Sequence, residues 1–240
     1  MFFFFIFVLS TFFVLNLNFL SKKIKIFDKP DNNRKIHKTP VPLLGGIFLF
    51  IIIILTIFFD TFLNDKKVLE NREISAFLIG VLFFFLIGLY DDIFKLSPTK
   101  KLVLTLGCIL FVIHIDDKLI INSLIFSFLE KEINLSNFST IFTILCFLIF
   151  VNALNMFDGM NGQCSLYSIV LCLIFTLYSS YQLYLVSLII GLCFFILVNL
   201  RSKSFLGDSG SYLLGFVISF FIIKTYNSEA SLNSDLIFIL

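Results

Sequence analysis

Apolar residues along this chain fall into long blocks that carry almost no charge. A helix needs roughly 20 mostly apolar residues to cross a hydrocarbon core about 30 Å thick. The blocks therefore predict an all-α polytopic transmembrane helix bundle of about eight spans, with the long block 164–200 divided at its polar notch. The predicted spans are residues 1–20, 43–59, 74–90, 102–115, 138–157, 164–179, 183–199 and 205–223.

A last apolar stretch begins at Asp235 and stops at Leu240. Six helical residues rise about 9 Å, far less than a bilayer requires. We therefore expect a truncated ninth span and a C-terminally incomplete chain, in which residues 1–240 form a single membrane-embedded domain.

Residues 116–137 break the pattern of apolar blocks. They contain two short strand-like runs joined by a charged turn. This arrangement favours a small extracytoplasmic β-hairpin, with an interfacial helix as the alternative.

Composition agrees with a membrane protein. The chain is 59% hydrophobic and 14% charged, whereas soluble domains have about 45–50% apolar and about 25% charged residues. Block 1–20 carries no charge before its apolar core, unlike a signal peptide, and lysines 22, 23 and 25 follow it. That order favours an N-terminus outside the cell. Basic residues do not form a stripe with interleaved aromatics, so we expect no nucleic-acid partner.

Alternating the loops from that start places residues 21–42, 91–101, 156–163 and 200–210 on one side. These loops hold twelve of the eighteen basic residues, which identifies the cytoplasmic side by the positive-inside rule. They hold only six of the sixteen acids, and none is a glutamate. Four of the six lie beside helix ends. An acid placed near hydrocarbon is costly, and such acids are typically functional.

The first pair of these acids is Asp91-Asp92, at the end of an apolar run. Adjacent carboxylates can share a cation or divide roles, because like charges push one pKa upward. Lys101 begins the next span and can hold a phosphate near them. The alternative is simple capping of a helix end.

Two further motifs contain Asn, Asp, Gly and Ser. Residues 152–162 carry three Asn, Asp158 and two Gly at a helix end, and amide and carboxylate oxygens are suited to Mg²⁺. Asp208 stands in a Gly-Asp-Ser-Gly-Ser run that enters the last complete span, where backbone N–H groups can face phosphate. The alternatives are an ordinary Asn/Gly turn and a Ser/Asp helix cap.

The fourth motif is the loop 28–46, which is basic and contains Pro40, Pro42 and Gly45-Gly46. A segment that only touches acidic lipid heads does not need Pro and Gly at fixed positions. We interpret this loop as a shaped anion site.

These four motifs, in this order, resemble the polyprenyl-phosphate N-acetylhexosamine-1-phosphate transferase family over essentially the whole chain. The branch that uses N-acetylglucosamine is the more similar one, since Val-Pro-Leu-Leu-Gly-Gly differs from the loop ending of the phospho-MurNAc-pentapeptide transferases. Two features depart from the family. No Pro lies between Asn199 and Phe205, and nothing matches a later Arg/His-rich loop that shapes the sugar pocket.

The resemblance implies a role for each matching residue. The catalytic residues would be Asp91, Asp92 and Lys101. The ligands of Mg²⁺, or of Mn²⁺ in its place, would be Asp208 and Asn155. Phe205 would stack on uracil, with Gly159 and Asn161 facing the base. The substrate-binding residues together would be Arg34, Lys35, His37, Asn152, Asp158, Gly159, Asn161, Asn199 and Phe205.

The implied reaction moves N-acetylhexosamine-1-phosphate, with N-acetylglucosamine as the expected sugar, from a UDP-sugar to undecaprenyl or another polyprenyl phosphate. UMP is released, and the reaction would be the first membrane step of a cell-envelope polysaccharide such as lipopolysaccharide or teichoic acid. The resemblance also implies a homodimer in the bacterial cytoplasmic membrane, with the active site facing the cytoplasm.

Two other functions could use the same residues. An ion-coupled transporter or lipid flippase also needs intramembrane acids, but would place them along a pathway at mid-membrane. A non-catalytic scaffold would leave the clustering of the acids unexplained.

Overall fold

The computed structural model describes residues 1–30, 39–126 and 132–228. Within these ranges the chain is an all-α bundle with two short antiparallel strand pairs, as the apolar blocks predict. The helices are α1 (Phe2–Leu15), α2 (Leu17–Ile24), α3 (Gly45–Phe62), α4 (Asn71–Phe94), α5 (Pro98–Ile115), α6 (Ser139–Phe157), α7 (Gln163–Thr176), α8 (Gln182–Asn199) and α9 (Gly207–Ser228). The strands are β1 (Phe27–Asp28), β2 (Val41–Pro42), β3 (Ser123–Leu124) and β4 (Ile133–Asn134).

Six of these helices are long and apolar enough to cross a membrane, namely α3, α4, α5, α6, α8 and α9. Helix α7 has 14 residues, a rise of about 21 Å. It is therefore shorter than the predicted span 164–179, because the polar notch ends it early. The predicted partial span at 235–240 lies outside the described residues.

The first predicted span is two helices, α1 and α2, bent by 73°. The break is at Asn16, whose side chain donates a hydrogen bond to the carbonyl oxygen of Phe12 at 2.9 Å. Helix α2 combines apolar residues with Asn18, Lys22 and Lys23. A helix of that composition is suited to a membrane interface more than to the apolar core, which explains the change of direction.

Strands β3 and β4 pair antiparallel, with Ser123 opposite Asn134 and Leu124 opposite Ile133. The strand pair confirms the prediction of strands in this region over that of an interfacial helix. The connecting residues 127–131 lie outside the described residues. The hydroxyl of Tyr226 in α9 donates to the carbonyl oxygen of Ser123 at 2.8 Å, which joins the strand pair to the bundle.

Helix α9 lies at the centre of the bundle, and 94% of its apolar window is buried. Every residue from Ser209 to Thr225 is buried, including Phe216, Phe220 and Phe221. A helix that is apolar around its whole circumference is typical of such a central position. Helices α3, α4 and α6 pack around it, with α4 making the most extensive contact.

Glycines let the neighbouring helices approach α9 at backbone distance. A Cβ on Gly88 of α4 would lie 2.4 Å from the carbonyl oxygen of Asp208 and 2.5 Å from the Cα of Ser209. A Cβ on Gly46 of α3 would lie 2.5 Å from the backbone nitrogen of Gly210. Small residues of this kind are what allow close helix packing in membranes.

We predict opposite effects for two Gly→Ala substitutions. Gly88→Ala should lower the free energy of unfolding by about 1–3 kcal/mol, because the added methyl meets rigid backbone. Gly107→Ala in α5 should be neutral or stabilising by about 0.5–1 kcal/mol, because a Cβ there meets nothing within 4 Å. Thermal unfolding of the purified variants in detergent measures both. Equal stability of the two variants would contradict the close α4–α9 contact.

Candidate active site

A cavity of about 540 Å³ opens at one end of the bundle, where α4, α6 and α8 end and α9 begins. Most of its wall comes from the motifs that the sequence singled out. It is lined by Asp28, Leu43, Asp92, Lys95, Asn155, Asp158, Gly159, Met160, Asn161, Asn199, Ser202, Phe205, Leu206, Gly207 and Asp208. A larger cavity, of about 1100 Å³, lies at the other end of the bundle and includes none of these motifs.

Asp92 caps the first turn of α9. Its two carboxylate oxygens accept hydrogen bonds from the backbone N–H groups of Asp208 at 2.8 Å and Ser209 at 3.0 Å. The first N–H groups of a helix have no partner inside it, so the carboxylate satisfies two of them. Gly207 makes this approach possible: its φ is +76°, and a Cβ there would lie 2.8 Å from an oxygen of Asp92.

The partners of Asp91 differ from those of its neighbour Asp92. It is almost fully buried, accepts a hydrogen bond from the backbone N–H of Leu96 and forms an ion pair with Lys101. The Lys101 Nζ lies 3.8 Å from Oδ2 of Asp208. Adjacent residues on a helix point about 100° apart, which explains why the pair divides in this way. The structure thus brings Asp91, Lys101 and Asp208 together.

Asp208 also contacts α6. The Asn155 side-chain amide donates to Oδ1 of Asp208 at 2.8 Å and to Oγ of Ser211 at 2.7 Å. Within the described ranges, no three His, Cys, Asp or Glu side chains form a ready metal cage. Mg²⁺ usually takes one or two carboxylates and fills its other positions with water and substrate phosphate. A carboxylate beside an amide and a hydroxyl, at the edge of an open cavity, fits that requirement.

Negative charge is concentrated in the cavity. The pKa of Asp158 is raised to about 7, first by burial and then by the charges of Asp208 and Asp92. Asp158 follows the last residue of α6 and is half-buried. Asp158 thus lies near two other carboxylates, and a bound cation would offset this concentration of negative charge.

Asn199 connects two loops of the cavity wall. Its side-chain oxygen accepts from the backbone N–H of Gly162 at 2.6 Å, and its amide nitrogen donates to the carbonyl oxygen of Ser204 at 3.0 Å. Asn161 donates to Oγ of Ser202 at 2.7 Å across the same two loops. Asn199 is almost fully buried, so it orders the loops, whereas Asn161 is exposed to the cavity.

Phe205 is held by the segment that enters α3. Its backbone N–H donates to the carbonyl oxygen of Pro42 at 3.0 Å, and its own carbonyl oxygen accepts from Gly45 at 3.1 Å. The backbone N–H of Gly46 donates to the carbonyl oxygen of Leu206 at 3.0 Å. The Pro-Gly-Gly part of the fourth motif therefore fixes the backbone around a half-buried phenyl ring.

The remaining predicted residues do not reach the cavity wall or cannot be placed. Asn152 donates to the carbonyl oxygen of Leu148 in its own helix at 2.7 Å and does not line the cavity. Arg34, Lys35 and His37 lie outside the described residues.

Other lining residues were given no individual role in the sequence analysis, among them Lys95 and Ser202, and Asp28 was only the first residue of the loop 28–46. Asp28 reaches the cavity through the pairing of β1 with β2, which places it opposite Val41. A two-residue strand pair leaves no periodic signal in a sequence. Lys95 could have been found, since it follows the paired aspartates directly.

Comparison with known proteins agrees with the motifs. Residues 74–226 match the sequence model of Glycosyl transferase family 4. Among curated proteins, the chain is similar to an undecaprenyl-phosphate alpha-N-acetylglucosaminyl 1-phosphate transferase of Thermotoga maritima. That similarity is 32% identity over 98 residues, or 41% of this chain and 28% of the relative. The chain thus spans less than a third of the relative's length.

The capping contact of Asp92 yields a stability prediction. Asp92→Ala should lower the free energy of unfolding by about 1–2 kcal/mol, because two buried N–H groups lose their acceptor. Asp92→Asn should lose less, because one amide oxygen can still accept. Thermal unfolding in detergent should rank the wild type as the most stable, followed by the Asn variant and then the Ala variant. If the Ala variant were as stable as the wild type, Asp92 would not be the cap of α9.

Proposed function

Because the chain belongs to glycosyl transferase family 4, we propose that it transfers N-acetylhexosamine-1-phosphate from a UDP-sugar to a polyprenyl phosphate, releasing UMP. The proposed sugar is N-acetylglucosamine and the proposed lipid is undecaprenyl phosphate, because the name of the similar Thermotoga maritima protein contains both. One observation supports this above all. Separate segments of the chain bring a cluster of carboxylates and an aromatic ring to one cavity, and Lys101 lies 3.8 Å from Asp208 in the cavity wall.

In the proposed reaction an oxygen of the lipid phosphate attacks the β-phosphorus of the UDP-sugar. The bond between that phosphorus and the bridging oxygen breaks, and UMP leaves with the bond's electrons. A lipid pyrophosphate carrying the sugar is formed. Phosphoryl transfer of this kind depends mainly on positioning and on neutralising charge.

Asp208 and Asn155 would hold Mg²⁺, which when bound neutralises charge on the diphosphate. Mn²⁺ would be accepted by the same oxygen ligands. Lys101 places a further positive charge near the same phosphates, and its ion pair with Asp91 fixes the ammonium group in place. The second pKa of a phosphoester is about 6, so the lipid phosphate is largely ionised at neutral pH. Asp91 is therefore assigned to positioning through Lys101.

Asp92 would act indirectly, since both its oxygens accept from the backbone of α9. Its effect on the reaction would come from placing Asp208. Phe205 would offer a ring face for uracil in a cavity that Gly159 and Asn161 also line. Asn199 would support the nucleotide site by holding the two loops together.

The distribution of basic residues supports a cytoplasmic active site and an N-terminus outside the cell. The bacterial cytoplasmic membrane is proposed from the resemblance to the family. The acids of the cavity gather at one end of the bundle, which favours an enzyme over a transporter with acids at mid-membrane. A homodimer and a role in envelope polysaccharide synthesis complete the proposal.

The central test is the carboxylate of Asp208. Asp208→Asn should reduce transfer by about 10²-fold or more, because the metal supplies several kcal/mol of charge stabilisation in the transition state. The assay follows UMP release from a panel of UDP-N-acetyl sugars with polyprenyl phosphate and Mg²⁺. The matched control is Asp117→Asn, an exposed acid at the other end of the bundle, which should keep full activity. Full activity of Asp208→Asn, or of the wild type in excess chelator, would reject the metal assignment.

Phe205 tests the nucleotide site. Phe205→Ala should raise the KM for the UDP-sugar by about 5–150-fold, because base–aromatic stacking contributes about 1–3 kcal/mol. Phe205→Tyr keeps the ring face and should stay near the wild-type KM. The KM for the lipid should not change in either variant. A parallel rise in both KM values for the Ala variant would argue against uracil stacking.

A further inference from the structure

A second cluster of charged side chains is buried at the opposite end of α9 from the active site. The Nζ of Lys224 lies 2.8 Å from Oε1 of Glu73 and 2.6 Å from Oδ2 of Asp116. The exposed fraction of the three side chains is 2% for Lys224, 8% for Glu73 and 2% for Asp116. We call these three residues the buried ion triad. It joins α9 to the start of α4 and to the end of α5.

The triad borders the larger cavity, which has a volume of about 1100 Å³. At its rim the exposed Lys118 pairs with Glu70 at 2.7 Å and lies 3.7 Å from Glu73. Glu73 and Lys224, which line the cavity, are already paired with each other. A ligand would have to break that ion pair to bind them. The cluster is therefore better suited to holding helices together than to capturing a small molecule.

Buried ion pairs fix geometry strongly. Removing one partner leaves an uncompensated charge in an apolar environment, so alternative positions of the helices are penalised. An axial shift or a rotation of α9 would separate Lys224 from two carboxylates at once.

Helix α4 holds α9 at both ends. Asp92 caps the first turn of α9, and Glu73 binds Lys224 sixteen residues after Asp208. Sixteen helical residues rise about 24 Å, so the two anchors are about 24 Å apart along α9. Packing against α3, α4 and α6 also holds α9, and Lys224 adds an ionic anchor at the end far from Asp92. Two anchors on the same neighbouring helix fix its axial position and its rotation together.

We propose that the buried ion triad is a positioning device for the active site: it sets, from the far end of α9, where the carboxylate of Asp208 stands. The proposal rests on the metal site of the proposed function. Mg²⁺ requires nearly ideal geometry with oxygen ligands at about 2.0–2.1 Å. A slip of one helical residue is about 1.5 Å, which is enough to remove Asp208 from such a site.

The test uses the purified full chain and Mn²⁺ alone, with binding measured by electron paramagnetic resonance. The triple variant Glu73→Gln, Asp116→Asn, Lys224→Met removes the ionic anchor without leaving a buried unpaired charge. It should bind Mn²⁺ at least about 10-fold more weakly than the wild type, since a misplaced ligand in or near the coordination shell costs roughly 10–100-fold in affinity. Thermal unfolding establishes that the variant is folded.

Two further variants separate positioning from a general loss of charge. Lys224→Arg keeps the ionic anchor and should bind Mn²⁺ within about twofold of the wild type, because the charge that the two carboxylates need is retained. Lys118→Met removes the exposed rim lysine beside the triad and should also stay within about twofold, because exposed ion pairs contribute little. Wild-type Mn²⁺ affinity in the folded triple variant would overturn the proposal.

If the triple variant does not fold, Glu73→Asp decides the question. It keeps the charge and withdraws the carboxylate by one methylene, so weaker Mn²⁺ binding supports the proposal and unchanged binding overturns it. Asp208→Asn provides the reference. If Mn²⁺ binding by the wild type does not depend on Asp208, the metal site of the proposed function is wrong and this proposal falls with it. If Mn²⁺ binding depends on Asp208 but is unchanged in the triad variants, the proposed function stands and only the proposal about the triad is refuted.

Discussion

The first turn of α9 imposes the constraint on which the rest of this structure depends. The first backbone N–H groups of a helix have no partner within it, and each one that is buried without an acceptor is costly. Asp92 satisfies two of them. To do so α4 must lie against α9 at backbone distance, which Gly88 allows, and the chain must turn at Gly207 with a positive φ. The position of Asp208 follows from that arrangement, because it is the first residue the cap holds.

The same constraint gives the paired aspartates different roles. A helix directs neighbouring side chains about 100° apart, so the two carboxylates reach different partners. Asp92 reaches the backbone N–H groups that begin α9, and Asp91 holds Lys101 beside Asp208. One carboxylate thus orders the backbone of the site, and the other orders its positive charge. Lys101 also lies 6.0 Å from the ring centroid of Tyr212, a cation–π contact that further restricts the ammonium group.

Much of this architecture could be predicted from the sequence, because the signals were local. Uncharged blocks predicted the helices, and runs of Asn, Asp and Gly at their ends predicted most of the cavity wall. Contacts between distant parts of the chain could not be predicted. Lys224 and Glu73 are 151 residues apart, and a lone lysine within an apolar run gives no indication of its partner. Asn199 was predicted to bind substrate and lines the cavity. Its hydrogen bonds with Gly162 and Ser204 could not be predicted, because they require the two loops to be placed first.

The bridge that Asn199 makes between the two loops has a thermodynamic consequence. If the cavity binds a nucleotide as proposed, a buried amide bound at both ends would keep the loops in one conformation before the nucleotide arrives. Ordering flexible loops on binding reduces affinity, since each immobilised side chain costs about 0.5–1.5 kcal/mol. With the loops already ordered, binding of the nucleotide would not require them to rearrange. Association would then be governed by diffusion and charge, and discrimination between nucleotides by how long each one stays bound.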